Sequence, residues 1–318
     1  MIRAETPFDG DAIRRTAADV ARHVRTTPVL DVGAELEPAG DGSAGVILKL
    51  ELLQVTGSFK ARGAFAMLIG ADVPEAGVVA ASGGNFGLAL AHAARELGHR
   101  ARIFVPATSP SEKIDGLASL GAQVEVVDGF YPEALAASER HIASTGAMRA
   151  HAYDLPANIL GAATLGMELE AQIGLPDTIL VAVGGGGLIG GIAAWFTDRA
   201  RIIAVETAGT ACLHAARAAG QPVDVTVSGL AASSLGASRI GSLGWSYHAW
   251  IDDSLVVADQ DVREAQYRLW ELARLVAEPG GATAVAALTS QHYRPAPGER
   301  VVAIVCGANT DPATVVRP

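Results

Sequence analysis

The sequence predicts an α/β fold of two lobes, each an open, mostly parallel sheet flanked by helices. Three observations carry this. Short β-rich runs alternate with helical patterns from Gly77 to Thr145. A second alternation of the same kind runs from Met148 to Val305. Several strand-like runs end in glycine-rich turns that open the next helix, the usual sign of βα units around a parallel sheet.

The elements follow in order. Asp9 to Val24 has helical spacing, through Ile13, Ala17, Val20 and Val24. Thr27-Pro28-Val29-Leu30 starts an extended segment, because a residue before proline avoids the α region. Gly40 to Gly45 reads as a polar loop, Val46 to Glu51 as a strand and Phe59 to Ile69 as a helix, with Thr56 and Ser58 as candidate N-caps. In the first alternation, strands are expected at Val78–Ala81, Ala101–Val105 and Gln123–Val127. Helices are expected at Asn85–Leu97, from Ser109-Pro110 to Leu120 with the proline at N1, and at Pro132–Thr145. The second alternation reads as strands at Met148–Ala152, Thr178–Val183, Arg201–Glu206, Ser254–Ala258 and Arg300–Val305. Its helices are Asn158–Ile173, Leu188–Arg199, Thr210–Ala219, Asp261–Ala277 and Ala282–Ser290, the fourth with Asp261 at its cap and Glu264 at N3. Gln221 to Gly244 shows no clear period.

Composition narrows the function. The 318 residues suit one large or two medium domains, and a chain half apolar and 18% charged buries a sizeable core. A net charge of -10 with no basic run argues against nucleic acid or an anionic membrane surface as partner. Cys212 and Cys306 stand far apart, with no disulfide framework or metal-ligand spacing, so no metal is expected. Thr178 to Thr197 is uncharged and long enough to span a bilayer, but its six glycines fit a strand, a turn and a buried helix better. The first residues lack the apolar core of a signal peptide, which makes the cytoplasm the default compartment.

The chemistry centres on Thr56-Gly57-Ser58-Phe59-Lys60-Ala61-Arg62-Gly63-Ala64. Lys60 falls near a helix N-terminus, where the dipole disfavours a cation. That field and any burial favour the neutral amine, which attacks an aldehyde. The plainer alternative is a solvated lysine on a surface helix. The stretch resembles the lysine motif of the fold type II pyridoxal-phosphate enzymes, nearest to the threonine/serine dehydratases and serine racemases. The resemblance implies a tryptophan synthase beta-like, two-domain fold, with a small substrate-binding domain at 77–147 inserted in a large cofactor-binding domain at 1–76 and 148–318. It also implies that Lys60 carries pyridoxal 5'-phosphate as an imine, with Phe59 packed on the ring.

Four loops bear on this. Ala81-Ser82-Gly83-Gly84-Asn85-Phe86-Gly87 follows a strand and opens a helix, so its backbone N–H groups suit an anion. By resemblance, Ser82, Gly83, Gly84 and Asn85 hold the substrate carboxylate, and Asn85 also reaches the cofactor's ring oxygen. Racemases carry an acid/base serine at the position of Gly83, which disfavours racemisation here. Gly184-Gly185-Gly186-Gly187-Leu188 has two readings. Gly185-x-Gly187-x-x-Gly190, with Glu206 about 20 residues on, fits a dinucleotide fingerprint. The same four glycines and Leu188 resemble the family's phosphate loop, and only that reading also uses Lys60 and Asn85. The third loop, Glu278-Pro279-Gly280-Gly281-Ala282, resembles a family segment whose glutamate lies close to the ring. The fourth, Val305-Cys306-Gly307-Ala308-Asn309, places Cys306 where the family meets the pyridine nitrogen with a serine or cysteine. A thiol does not keep that nitrogen protonated, which favours β-elimination over transamination.

Two stretches depart from the dehydratase pattern, Gly161-Ala162-Ala163-Thr164 and Ser228-Gly229-Leu230-Ala231, and leave the substrate open. Cys212 stands where metal-binding relatives place a second carboxylate after Glu206. The resemblance therefore implies an ammonia-lyase acting on L-threonine, L-serine or a related β-hydroxy amino acid, with Lys60 as general base, and a homodimer by family habit. The alternatives are a cysteine synthase-like β-replacement enzyme, an NAD-binding dehydrogenase and a catalytically silent pyridoxal-phosphate binder.

Overall fold

The computed structural model describes residues 7–33, 35–36 and 45–317. The expected loop at Gly40–Gly45 lies, except for Gly45, outside the described residues, as does the N-terminal stretch 1–6. Among the described residues the chain forms a six-stranded and a four-stranded sheet. Helix α1 (Gly10–Val20) is capped by Asp9, whose carboxylate accepts from Ala12 N at 2.7 Å. Strands β1 (Val29–Gly33) and β2 (Gly45–Lys49) lead through two 3-10 turns into helix α2 (Lys60–Leu68). Then come β3 (Val78–Ala81), α3 (Asn85–Glu96), β4 (Ala101–Pro106), α4 (Ser111–Ser119), β5 (Gln123–Val127), α5 (Tyr131–Thr145) and β6 (Met148–Arg149). The rest comprises α6 (Pro156–Ile173), β7 (Thr178–Ala182), α7 (Gly187–Phe196), β8 (Arg201–Thr207) and α8 (Cys212–Ala219). It continues with α9 (Ala232–Leu235), α10 (Ser242–Ser246), β9 (Asp253–Val257), α11 (Asp259–Ala273), α12 (Pro279–Thr289) and β10 (Arg300–Ile304).

The large sheet has the order β1-β2-β10-β7-β8-β9, parallel except for β1, which pairs antiparallel with β2. The small sheet, β5-β4-β3-β6, is wholly parallel. Alternation along each strand sorts side chains to opposite faces. Ile179, Val181, Ile202, Ala204, Val302 and Ile304 pack on one face with Ile159, Leu165, Ile189 and Ile192 of α6 and α7. Leu180, Ile203, Val205, Val301 and Ala303 pack on the other with Leu269 of α11 and Val285 of α12. In the small sheet Val78, Ala80, Ile103 and Val105 face α2 and α3, whereas Val79 and Phe104 face α5. Burial on both faces is why these strands read as continuous apolar runs.

The structure corrects the sequence reading in several places. Met148–Arg149 opens the second alternation in sequence but pairs with Val78–Val79, as an edge of the small sheet. The residue heading α2 is Phe59, with no side-chain cap, and the hydroxyls of Thr56 and Ser58 are buried without hydrogen-bond partners. Pro110 is the N-cap residue of α4 rather than N1. Asp261 is N3 of α11, where its carboxylate accepts from Ala258 N at 2.9 Å. That helix stops at Ala273, with Arg274 left-handed, so Glu278-Pro279 starts α12 rather than breaking a helix. The unassigned stretch contains α9 and α10. Thr178 to Thr197 is strand β7, a glycine turn and α7, and among the described residues no helix is long and apolar enough to cross a membrane.

Candidate active site

Parallel pairing brings the carboxyl ends of neighbouring strands together, and ligands of α/β sheets gather there. Here those ends enclose a cavity of about 530 Å³. Its walls include Phe59 and Lys60 from α2, Ser82 to Phe86 after β3, Gly184 to Leu188 after β7, and Cys306 after β10. The lysine turn and the third and fourth loops, far apart in sequence, are tied to one another. Phe59 N donates to Cys306 O at 3.1 Å, Glu278 N to Gly307 O at 3.0 Å, and Ala308 N to Gly57 O at 2.8 Å.

Lys60 is the first residue of α2, so its amine sits at the positive end of a helix. Its Nζ donates to Ala152 O at 2.8 Å and lies 4.8 Å from the centre of the Phe59 ring. Burial brings its pKa down to about 8, against the opposing pull of Cys306 and Glu278. Glu278 is buried and pushed up to about 7 by desolvation, opposed by the hydrogen bond from Asn85 and by the charges of Lys113 and Lys60. Burial also raises the Cys306 thiol, which stays protonated and donates to Gly280 O at 3.4 Å. The cavity thus holds a readily deprotonated amine and a thiol that is a weak donor. Among the described lining residues Lys60 carries the one charged side chain.

The glycine loop is shaped for close approach. Gly186 has φ +91°, and a Cβ on Gly185 would come within 2.2 Å of the Tyr153 ring. The first turn of α7 begins at Gly187 and offers N–H groups with no intrahelical acceptor, a cradle for a phosphate. The first residues of α3 do the same for a carboxylate. Ser82 is fixed there, its hydroxyl accepting from Gly87 N at 3.2 Å. These features fit pyridoxal phosphate: an anion cradle at one end, an amine that loses its proton easily, and a neutral thiol.

The dinucleotide reading loses its acidic partner. Glu206, also pushed up to about 7 by burial, turns both carboxylate oxygens into the start of α8. They accept from Leu213 N and His214 N, each at 2.8 Å, so the carboxylate is already engaged as a cap. Cys212, at the same helix start, donates to Gly184 O at 3.1 Å. Among the described residues no group of three or more His, Cys, Asp or Glu gathers as metal ligands.

Of the two departures from the dehydratase pattern, residues 161–164 do not line the cavity. Thr164 instead accepts from Arg62 at 3.2 Å, and Gly161 lies against the backbone of Arg62 and Gly63. Residues 228–231 sit behind the wall, where Leu230 N donates to Asp259 at 2.7 Å, and their neighbours Val227 and Ala232 reach the cavity. Sequence reasoning missed Tyr131, Tyr153, Ser233 and Ser238, which line the same cavity. Tyr131 and Tyr153 stand in no motif, and the two serines fall in the stretch without a period.

Comparison with known proteins agrees with this geometry. A family model described as "Pyridoxal-phosphate dependent enzyme" matches residues 20–307. The phenylserine dehydratase of Ralstonia pickettii is 35% identical over 97% of this chain and 95% of its own. A biosynthetic L-threonine dehydratase of Haemophilus influenzae is 34% identical over 94% of this chain, which spans 59% of that protein's length. The solved structure of maize serine racemase superposes with a TM-score of 0.88 at 30% identity, covering 96% of this chain and 95% of that one. The Lys60 motif, the glycine loop and the matched span converge on one conclusion: the chain belongs to the pyridoxal-phosphate dependent enzymes, and its cofactor is pyridoxal 5'-phosphate.

Proposed function

We propose that this chain is an ammonia-lyase of the dehydratase type, converting a neutral β-hydroxy amino acid to a 2-keto acid and ammonia. The class includes L-threonine, L-serine and phenylserine. The observation that carries the reading is the pairing of Lys60, a half-buried lysine whose amine desolvation brings to about 8, with the neutral Cys306 thiol in one cavity.

Pyridoxal phosphate, when bound, supplies the electron sink that makes the Cα proton of an amino acid removable. Lys60 would hold the cofactor through its Nζ, and Phe59 would pack against the ring. Gly184, Gly185, Gly186, Gly187 and Leu188 would take the phosphate. Asn85 and Glu278 would border the ring, and Cys306 would meet its nitrogen as a weak donor by turning its one S–H from the Gly280 carbonyl. Ser82, Gly83, Gly84 and Asn85 would receive the substrate carboxylate. Once its Nζ is released from the cofactor by the incoming substrate amine, Lys60 would take the proton from Cα as general base, which its lowered pKa suits at neutral pH. The β-hydroxyl takes up a proton, which the Lys60 ammonium can supply, and leaves as water; a water then displaces the nitrogen as ammonia. Gly83 carries no hydroxyl to return a proton from the opposite face, which favours elimination over racemisation. A second carboxylate on the substrate, as in 3-hydroxyaspartate, finds no cationic partner among the described lining residues other than Lys60.

The lobes behind this site are 77–147 extended through β6, and the remainder of the chain. The reading carries a homodimer and a reducing compartment such as the cytoplasm, consistent with two free, buried cysteines. The test is an absorption spectrum of the protein with pyridoxal phosphate, before and after L-threonine, L-serine, phenylserine or 3-hydroxyaspartate, with keto acid assayed in parallel. A visible band that changes as keto acid accumulates, weakest for 3-hydroxyaspartate, supports the reading. A band with no keto acid, but consumption of O-acetylserine with sulfide, moves the enzyme to β-replacement. No band at all removes the reading.

A further inference from the structure

We propose that Asn309 is a positioning residue: it fixes which way round the Asn85 amide faces the cavity. This rests on the role given above to Asn85. The relay starts at the lysine turn. Thr56 has φ +59° and Gly57 φ +75°, and this reversal presents the Thr56 carbonyl to Asn309. Asn309 Nδ2 donates to Thr56 O at 2.8 Å and to Asn85 Oδ1 at 2.7 Å. Asn85 Nδ2 in turn donates to Glu278 Oε1.

A backbone carbonyl only accepts, so Thr56 admits the Asn309 amide one way round, nitrogen inward. That nitrogen needs an oxygen on its other side, and Asn85 Oδ1 is turned to it. Asn85 must then direct its nitrogen toward Glu278, and of that nitrogen's two hydrogens one remains for the cavity. Reversing either amide sets two acceptors or two donors face to face. The arrangement also explains Gly57. Its φ is left-handed, and a Cβ there would stand 2.7 Å from Asn309 Oδ1. The two amides come from different sheets: Asn85 heads α3 beside the small sheet, and Asn309 follows β10 of the large one. Asn85 is therefore oriented from across the cleft rather than by its own loop.

Two variants test this. Asn309→Asp is nearly isosteric but has no donor; it repels the Thr56 carbonyl and draws the Asn85 nitrogen toward itself, leaving Oδ1 toward the cavity. Asn309→Ala removes the constraint without reversing it. The readouts are the dissociation constant of pyridoxal phosphate, the absorption maximum of the bound cofactor, kcat and KM separately, and melting of the cofactor-free protein. The expected result is cofactor affinity weakened roughly tenfold in N309D and less in N309A, the scale of one misdirected hydrogen bond. The absorption maximum shifts in both, kcat falls more than KM changes, and melting follows the wild type. In an Asn85→Ala background the effect of N309A on affinity and spectrum disappears. If N309D does not fold, N309A and the double variant still decide. Wild-type affinity and spectrum in the folded variants, or losses that simply add in the Asn85→Ala background, overturn the proposal. A wild-type protein that takes up no cofactor overturns the functional reading and this proposal together. A wild type that turns over while the variants match it overturns this proposal alone.

Discussion

Lys49 is fully buried and Lys60, eleven positions on, is half-buried in the cavity wall, and the two meet opposite surroundings. Lys49 ends β2, and its Nζ donates to Thr27 O at 2.7 Å, Glu168 at 2.6 Å and Gln172 at 2.7 Å. All three of its donors are used. Arg62, two residues after Lys60 and so on the other side of α2, is gripped by Glu51 at 2.6 Å and by Glu168 at 2.8 Å. Two cations and two carboxylates make that cluster neutral. Lys60 has one carbonyl at 2.8 Å, and among the described residues no carboxylate forms an ion pair with it. The acids whose charge acts on it, Cys306 and Glu278, are themselves pushed toward their neutral forms by burial. Burial alone therefore does not mark a reactive lysine. Desolvation lowers both lysines, but at Lys49 the hydrogen bond and charge of Glu168 and the charge of Glu51 oppose it, whereas Lys60, with no carboxylate bonded to it, falls to about 8.

The difference is broken or sharpened in three ways. Lys60→Ala is expected to lower kcat by roughly a thousandfold or more, the scale of losing an essential acid–base group. Because it removes an uncompensated charge, it leaves the cofactor-free melting temperature unchanged or higher. Retained turnover in that variant ends the functional reading. Arg62→Ala is expected to act on the other side, destabilising the fold by about 3–5 kcal/mol in denaturant titration, since it strands Glu51 and part of Glu168 in the interior. A loss of activity from Arg62→Ala without loss of stability contradicts a structural role for the cluster. The smallest effect is in pH. The uncharged amine is the reactive form, so the rate at which cofactor-free protein takes up pyridoxal phosphate rises toward pH about 8 and then levels. The sign carries over to stability. Lys60 binds its proton less tightly folded than unfolded, so the cofactor-free fold gains stability as pH climbs from about 8 to the ordinary lysine value of 10.5. A rate that keeps climbing to pH 10.5 shows that Lys60 is as exposed as any surface lysine.

Much of the architecture was legible in the chain because parallel strands buried on both faces are continuous apolar runs bounded by glycine turns. The strands at Val78–Ala81 and Gln123–Val127 have the expected ends. Helix caps were less legible. Thr56 and Ser58 are good capping types, but the left-handed turn at Thr56-Gly57 leaves both hydroxyls without partners. Asp261 was recognised as a capping acid but placed at the wrong position, since a box at N-cap and N3 looks alike two or three residues along. Asn309 carries no legible role in the loop after the last strand, because nothing local says that it meets Asn85, 224 residues away.

By itself the sequence determined the strand–helix alternation, the two-sheet α/β class and the glycine turns at strand ends, all of which follow from local periodicity and backbone freedom. It also marked the Lys60 motif and its family. The tertiary structure alone decided that β6 joins the small sheet, because an edge partner is chosen by space and not by order in the chain. It alone separated Lys60 from Lys49, since the count of acceptors around a buried amine depends on α6, β10 and the turns that pack against it. It alone turned Glu206 from a plausible ribose ligand into the cap of α8, because a carboxylate is engaged by whatever donors the fold brings to it.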